Sequence, residues 1–300
     1  MSSKLGTRQS RGWVEKIFET WFAICAYLSV AVTAGIVLTL VWESWPFFQQ
    51  VRLAEFLFEK EWTPLFSDAK FGIQPLLLGT LMTTVIACVV AVPLGILIAA
   101  TMSEFMSARM RQIVKPVIEL LAGIPSVIFG YFALLVVTPF LQKLIPGLPG
   151  FSLLAAGLTM SFMILPLIVS LSEDALRAVP SSLREASQAL GGTVWETTWK
   201  VILPSASSGI ISACILGVSR AIGETMVVAI AAGQQPHWTL DPTEPAATMT
   251  AFMVQVALGD LPHGSLGYQT VFVVGLTLLL MTLVFNFLAL QFRSRIRKSF

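Results

Sequence analysis

Long apolar stretches without charged residues alternate with short polar segments along the whole chain. A helix needs about 20 apolar residues to cross a hydrocarbon layer of about 30 Å, so each such stretch predicts a membrane span. Six stretches qualify: residues 20–42, 71–103, 120–142, 144–172, 205–233 and 264–292. Only the fifth contains charged residues, Arg220 and Glu224. The pattern therefore predicts an all-α membrane protein with six transmembrane helices.

Composition supports this class and excludes others. Of the 300 residues, 12% are charged and 55% are hydrophobic, and the mean hydropathy is +0.79. An ordinary soluble domain carries about 25% charged residues, so a soluble enzyme or a disordered chain does not fit. The net charge of +2 is too small to indicate nucleic-acid binding.

The distribution of positive residues predicts the orientation. Lys and Arg are enriched in cytoplasmic loops, and fourteen of them fall in one alternate set of segments. These are Lys4, Arg8, Arg11, Lys16, Arg109, Arg111, Lys115, Arg177, Arg184, Lys200, Arg293, Arg295, Arg297 and Lys298. The opposite segments hold Arg52, Lys60, Lys70 and Lys143. Both termini are therefore predicted to be cytoplasmic.

The same reasoning divides the chain into regions. Residues 1–20 are predicted to form a cytoplasmic tail and an interfacial elbow helix, because Trp13, Ile17 and Trp21 recur at helical spacing. Residues 21–300 form the six-span domain, with a cytoplasmic loop at 173–204 and outward loops at 43–70 and 234–267. The first outward loop mixes aromatic and charged residues, as a segment along the membrane surface would. Residues 246–258 are apolar but short, which favours a surface or re-entrant helix over a seventh span.

Small residues recur every four positions in two spans. One stripe lies in the second span and the other in the fifth. Their members are Ala87, Ala91, Gly95 and Ala99, and Ala213, Gly217 and Ala221. Such stripes let helix backbones approach closely, either within one chain or against a second membrane subunit.

Catalytic and metal-binding motifs are absent from the sequence. It contains neither GxxxxGK[ST] nor HExxH, and both histidines, His237 and His263, fall in one outward loop. The three cysteines lie in apolar stretches without a CxxC pair, which favours small buried side chains over disulfides or zinc. We therefore expect no cofactor and no metal. Because no histidine lies within a span to act as a base, a membrane enzyme is a poor interpretation.

The loop at 173–204 predicts two short cytoplasmic helices. Ser182 with Glu185, and Thr193 with Glu196, each match a capping box, and Gly191-Gly192 between them can end the first helix in the left-handed conformation. Pro204 is expected to stop the second helix. Two ordered helices in a loop suggest a docking surface, or alternatively a lid over the inner end of the bundle.

The loop also resembles the EAA loop of binding-protein-dependent ABC importer permeases, whose pattern is EAA, three residues, G, nine residues, I, one residue and LP. The matching positions are Glu185, Ala186, Ser187, Gly191, Val201, Leu203 and Pro204. Ser187 stands where alanine is usual, and Val201 where isoleucine is usual. The resemblance implies that this loop docks on an ATPase subunit and that ATP hydrolysis belongs to that partner.

A narrower resemblance covers most of the chain from the second span onward. The motifs GTL at 79–81, AGIPS at 122–126 and GVSRAIGETM at 217–226 are similar to those of phosphate-specific ABC transporter permeases of the C-subunit type. The resemblance implies a type I importer permease in a bacterial inner membrane. It also implies a paralogous second permease, two ATP-binding subunits and a phosphate-binding protein on the outer face, with membrane lipid around the spans and no nucleic acid.

Arg220 and Glu224 are the charged residues within a predicted span. A charge at the bilayer centre costs about 2.5–3.5 kcal/mol, so both should face the bundle interior or water. Their spacing of four predicts one helical face, where they could pair as a structural staple. Alternatively, the planar guanidinium could grip a phosphate in the translocation pathway, as the family resemblance implies. The rival to an importer subunit is a self-contained secondary transporter or channel that uses this pair as an ion relay.

Overall fold

The computed structural model describes residues 8–66 and 68–297, with side chains described at 13, 15–66 and 68–291. In these ranges the secondary structure is helical, apart from one isolated β-bridge between Trp62 and Phe71. The longest helices are α1 (Arg8–Gln50), α3 (Gln74–Ala100), α7 (Leu153–Arg177) and α14 (Leu266–Arg297). The shorter ones are α2 (Leu53–Phe58), α4 (Ala108–Ala122), α5 (Ser126–Phe132), α6 (Thr138–Leu144), α8 (Ser181–Ala189), α9 (Val194–Thr197), α10 (Leu203–Ser205), α11 (Ser207–Ile222), α12 (Met226–Ala231) and α13 (Met249–Ala257).

Three π-helical turns lengthen the helices: one extends α3, and the other two each join a pair of neighbouring helices. They are Thr101–Phe105 after α3, Ala133–Val137 between α5 and α6, and Thr198–Ile202 between α9 and α10. Among the described residues, five helical segments are long and apolar enough to span a membrane. A sixth results when Val194–Ser205 and Ser207–Ile222, bent by 71°, are counted as one span. The predicted all-α architecture is confirmed on this count.

Several predicted boundaries are wrong for identifiable reasons. The third span begins at Ser126 instead of residue 120, because Gly123 ends α4 and the extended Pro125 precedes α5. The fourth span is Leu153–Arg177 instead of 144–172, since Ser152 caps its first turn. The fifth apolar stretch does not form one helix through residue 233, because the chain leaves the helix at Gly223.

The segment predicted as an elbow helix is the first part of α1. No proline interrupts the helix before Pro46, and α1 runs without a break for 43 residues. Trp13 and Trp21 are exposed, so a position at the membrane interface stays a prediction. The first seven residues of the predicted tail, and Lys298 at the other end, lie outside the described residues.

The small-residue stripes pack inside the chain. Gly95 of α3 and Gly217 of α11 both face Ile168 of α7, which is completely buried. A Cβ atom built on Gly95 would lie 2.7 Å from Ile168 Cγ2, and one built on Gly217 would lie 2.8 Å from Ile168 Cγ1. The two stripes therefore let α3 and α11 close on one side chain of α7. Of the two interpretations of the stripes, intramolecular packing is confirmed.

The loops at 43–70 and 234–267 meet at one end of the bundle, where Trp62 packs edge to face on Phe252 with ring centroids 5.2 Å apart. The amide of Leu154 donates a 2.7 Å hydrogen bond to the carbonyl of Pro242, and that of Ile73 donates one of 2.9 Å to Phe56. Trp62 and Phe56 are buried and pack edge to face with centroids 6.2 Å apart. The prediction that this loop lies along the membrane surface is therefore wrong for these two side chains. The predicted short helix is present as α13 and packs inside the protein.

Candidate functional site

Two helices form a hairpin after α7, and we call residues 181–205 the hairpin. Gly191 has φ of +86°, so the left-handed turn predicted from the sequence is confirmed. Thr193 Oγ1 accepts a 3.2 Å bond from the amide of Glu196, whose carboxylate accepts a 3.1 Å bond from the amide of Thr193. This second capping box is confirmed.

Two other predictions about the hairpin are wrong. Ser182 and Glu185 form no capping box, because Pro180 takes the N-cap position and α8 already begins at Ser181. Pro204 does not stop the second helix but lies within α10. The preceding turn Thr198–Ile202 is π-helical, so the backbone hydrogen bonds change register there. This change lies next to Pro204, which has no backbone N–H to donate. The helix therefore continues past Pro204 before it bends.

The predicted docking residues fall into two groups. Glu185, Ala186 and Gly191 are exposed, and the neighbouring Leu190 is 90% exposed. Ser187 faces the second helix, where its hydroxyl lies 2.8 Å from that of Thr197. Leu203 and Pro204 are half-buried near the bend, away from the exposed turn. The end of the hairpin at Gly191 is therefore exposed to solvent, whereas the end at Leu203 and Pro204 packs against the bundle.

Arg184 anchors the hairpin to the ends of two spans. Arg184 Nη2 and Nε donate hydrogen bonds of 2.8 and 3.0 Å to the two carboxylate oxygens of Glu104. The same guanidinium donates to the carbonyls of Leu176, at 2.9 Å, and Val179, at 2.7 Å. These carbonyls lie at the C-terminal end of α7. The 80 residues between Arg184 and Glu104 leave no local sequence signal for this contact.

A second charged cluster ties α4 to α7. The side chain of Glu173 is only 1% exposed, and its Oε2 lies 2.6 Å from Lys115 Nζ. Lys115 also binds Asp174, while Arg111 and Arg177 lie 3.9 and 3.8 Å from Glu173 Oε1. Burial disfavours the charged lysine, but the bonds to the two carboxylates outweigh it and raise the pKa of Lys115. Lys115 and Glu173 are 58 residues apart, so the sequence did not predict this cluster either.

Arg220 and Glu224 lie at a break in the predicted fifth span. Arg220 is in the last turn of α11, whereas Glu224 lies in the non-helical residues between α11 and α12. Glu224 Oε1 accepts hydrogen bonds of 3.1 and 3.3 Å from the amides of Met226 and Val227. The predicted pairing of Arg220 with Glu224 on one helical face is therefore wrong. Gly223 is the reason, since it ends the helix before the fourth position is reached.

Helix α13 braces this break. The hydroxyl of Thr250 donates a 2.6 Å hydrogen bond to the backbone carbonyl of Glu224. The amide of Met249, at the start of α13, donates a 3.0 Å bond to the hydroxyl of Thr80 in α3. The break is therefore connected through α13 to the second span.

Helix α11 has two distinct faces. Ala213, Gly217 and Ala221 are buried, whereas Leu216 and Arg220 are exposed. In the described part of the chain, Arg220 has no hydrogen bond or ion pair. A charged side chain facing lipid would be costly, so this exposed face must border water or another subunit. It can therefore offer a free guanidinium to an anion.

Metal binding finds no support in the described ranges, which contain no group of three potential ligands. His237 Nδ1 lies 3.5 Å from a carboxylate oxygen of Glu244 on an exposed loop. The ring of His263 packs against Tyr268 with centroids 4.6 Å apart. The two histidines thus have separate neighbours.

Curated proteins of similar sequence are transport permeases. The chain is 36% identical over 97% of its length to the probable ABC transporter permease protein YqgH of Bacillus subtilis, of which 94% is covered. It is 33% identical over 96% of its length to the phosphate transport system permease protein PstC of Mesorhizobium japonicum, of which 92% is covered. A protein of the same description from Haemophilus influenzae is 33% identical over 80% of this chain and 82% of its own.

Solved structures share the fold. The bacterial alginate ABC transporter aligns with a TM-score of 0.65 at 17% identity, covering 98% of each chain. The MetNI methionine ABC transporter in an inward-facing conformation aligns with a TM-score of 0.55 at 22% identity, over 75% of this chain and 94% of that one. Residues 91–298, more than two thirds of the chain, match the family described as binding-protein-dependent transport system inner membrane component. The chain therefore belongs to this family, as a non-catalytic, multi-pass permease subunit of an ABC importer whose ATP is hydrolysed by a separate ATPase.

Proposed function

We propose that this permease imports inorganic phosphate across a bacterial inner membrane. Phosphate is assigned as the substrate because the chain is similar, along nearly its whole length, to a relative described as a phosphate transport system permease. The unpaired Arg220 on the exposed face of α11 fits an anionic substrate. A self-contained secondary transporter has no comparable support, because the chain is a subunit of an importer family.

Arg220 is the anion station in this proposal. A guanidinium presents donors in a planar fork that matches two oxygens of a phosphate, and it remains charged at any physiological pH. Because no carboxylate of the described chain competes for it, the whole fork is available to the substrate. Leu216, one turn earlier on the same face, extends an apolar wall beside the charge.

Glu224 has a different role, which is to shape the pathway next to Arg220. Its carboxylate holds the first amides of α12, and its carbonyl is held by Thr250 of α13. These bonds fix the break in the span directly after the last turn of α11, which contains Arg220. Glu224 therefore positions the backbone at the station without neutralising the arginine.

The hairpin is the contact with the ATPase. It exposes the carboxylate of Glu185 on α8 and the apolar Leu190 at the turn. A fully exposed leucine on a capped, ordered turn is typical of a side chain that fills a partner's cleft. The roles of Ala186, Ser187 and Gly191 are to keep this turn narrow and well ordered.

Helix α11 links the two places. It starts directly after the hairpin and ends beside Arg220, and thirteen residues at about 1.5 Å each give a distance of about 20 Å. Movement of the hairpin on ATP binding would therefore tilt the helix that carries the station, exposing Arg220 first to one side and then to the other. A paralogous second permease would cover the exposed face of α11, two ATP-binding subunits would drive the cycle, and a phosphate-binding protein would deliver the substrate from outside.

Uptake in the host cell tests the proposal. Two strains are compared: cells in which the gene for this chain is deleted, and the same cells with the gene restored. Both are supplied with labelled phosphate or labelled sulfate at micromolar concentration. We expect restoration to recover phosphate uptake and to leave sulfate uptake unchanged, with no competition by excess sulfate. Recovery of sulfate uptake in place of phosphate uptake would refute phosphate as the substrate.

A further inference from the structure

One guanidinium joins three separate elements at the inner end of the bundle. Arg184 belongs to α8 of the hairpin, Glu104 to the π-helical turn that ends the second span, and Leu176 to the last turns of α7. All four of its hydrogen bonds leave α8, at 2.7 to 3.0 Å. The side chain therefore acts as a bracket between the hairpin and two spans.

Glu104, the residue of the second span that binds Arg184, is nearly buried and fixed in place. The side chain of Glu104 is 8% exposed and that of Arg184 is 23% exposed, so water has little access to the pair. Glu104 Oε1 also accepts a 2.8 Å hydrogen bond from Ser103, which fixes the carboxylate in place. A two-point arginine–carboxylate contact in such surroundings resists both rotation and sliding.

The first helix of the hairpin has few other connections to the bundle. The chain from α9 to α11 connects the second helix to the bundle, but that path bends by 71° at Ala206. Helix α8 itself is joined to the second helix through the hydroxyls of Ser187 and Thr197. Without Arg184, α8 would reach the bundle through residues 178–180, which join it to α7, and through the second helix, whose Trp195 lies against Phe105. Among the described residues, α8 would then have no hydrogen bond or ion pair of its own to the end of the second span.

We propose that Arg184 is a positioning residue for coupling, which transmits movement of the hairpin to α3 and α7 through Glu104 and the end of α7. This inference rests on the proposed function of the hairpin as the contact with the ATPase. Loss of the bracket would leave the rate of ATP hydrolysis unchanged but would lower the amount of phosphate transported per ATP hydrolysed.

The test compares uptake with ATP hydrolysis in the assembled complex. Complexes containing Arg184→Gln, Arg184→Lys or Glu104→Gln are purified through a tag on this chain and reconstituted, and phosphate transported per ATP hydrolysed is measured. Arg109→Gln is the matched control, because Arg109 is exposed and has no hydrogen bond or ion pair to the described residues. We expect Arg184→Gln to lower the ratio about fivefold or more, Glu104→Gln and Arg184→Lys to lower it less, and the control to leave it unchanged.

A purely structural role predicts a different result. It would reduce the amount of complex recovered, while the ratio in the complex that does assemble stays at the wild-type value. That outcome would overturn the proposal. If the Arg184→Gln complex cannot be recovered, a wild-type ratio of phosphate transported to ATP hydrolysed in both Arg184→Lys and Glu104→Gln would also overturn it. Glu185→Lys tests the proposed docking separately: normal uptake there would refute the docking role, whereas loss of uptake there with a normal ratio in the Arg184 variants would refute only the bracket.

Discussion

Arg220 and Glu224 have different surroundings although they are only four residues apart in the sequence. Gly223 ends α11 between them, so Glu224 turns to the amides of α12 while Arg220 stays on the exposed face of its helix. Their sequence spacing suggested a neutral pair, which would have left no free charge for a substrate. The structure instead separates a held carboxylate from an available guanidinium.

A double-mutant cycle tests this separation. Arg220→Gln and Glu224→Gln should change the thermal stability of the purified protein independently, because no hydrogen bond or ion pair joins the two side chains. We expect a coupling energy below about 0.5 kcal/mol, the usual limit for independent sites. A coupling above about 1 kcal/mol would mean that the two residues pair after all.

At the scale of helices, Ile168 is the point where three spans converge. Its side chain fills the space left by Gly95 on one side and Gly217 on the other, and it has no exposed surface. Close-packed interiors tolerate little added volume. The position of α11, and therefore of Arg220, depends on the missing Cβ at Gly217.

Substitution of the glycine measures this dependence. Gly217→Ala should destabilise the protein by about 1–3 kcal/mol, because the new methyl group would overlap with Ile168. Gly35→Ala in α1 is the control, since a Cβ there meets nothing within 4 Å and alanine favours the helix. Thermal unfolding in detergent compares the two, and equal stability of both variants would contradict the packing described for α11.

Local signals explain which parts of the hairpin were predictable. Gly191 and the Thr193–Glu196 box lie within a few residues of their partners, so the sequence predicts the turn and the start of the second helix. The bracket at Arg184 and the cluster at Glu173 join segments far apart in sequence, and a single sequence holds no record of such contacts. The path of the chain past Pro204 depends on a π-helical turn, which has no residue pattern of its own.

At the scale of the whole molecule, loops from alternate positions in the chain collect at opposite ends. One end contains the hairpin, Glu104 and Lys115, and the other contains the buried Trp62 with α13. This is the arrangement that alternating spans produce. Of the six spans predicted from hydrophobicity, the described residues contain five as long apolar helices and a sixth if the bent pair is counted as one span. Which end faces the cytoplasm depends on the charge bias and stays a prediction.

Cysteine labelling tests the orientation. In a background lacking Cys25, Cys88 and Cys214, an impermeant thiol reagent added to intact cells should label Asp260→Cys on an exposed outward loop. It should not label Ser181→Cys at the start of the hairpin until the membrane is opened. The reverse pattern would contradict cytoplasmic termini and would place the hairpin where no ATPase could reach it.

Phosphate uptake by the Arg220→Gln variant is the most direct test of the central claim, which is that an unpaired arginine at the break in the fifth span carries the substrate. Glutamine retains hydrogen-bonding groups but loses the charge and the planar fork. Arg220 pairs with no carboxylate of the described chain, so its removal leaves no carboxylate unpaired. We therefore expect the complex to assemble in normal amount and uptake to be abolished, with Arg220→Lys also impaired. Wild-type uptake by the assembled Arg220→Gln complex would contradict the account.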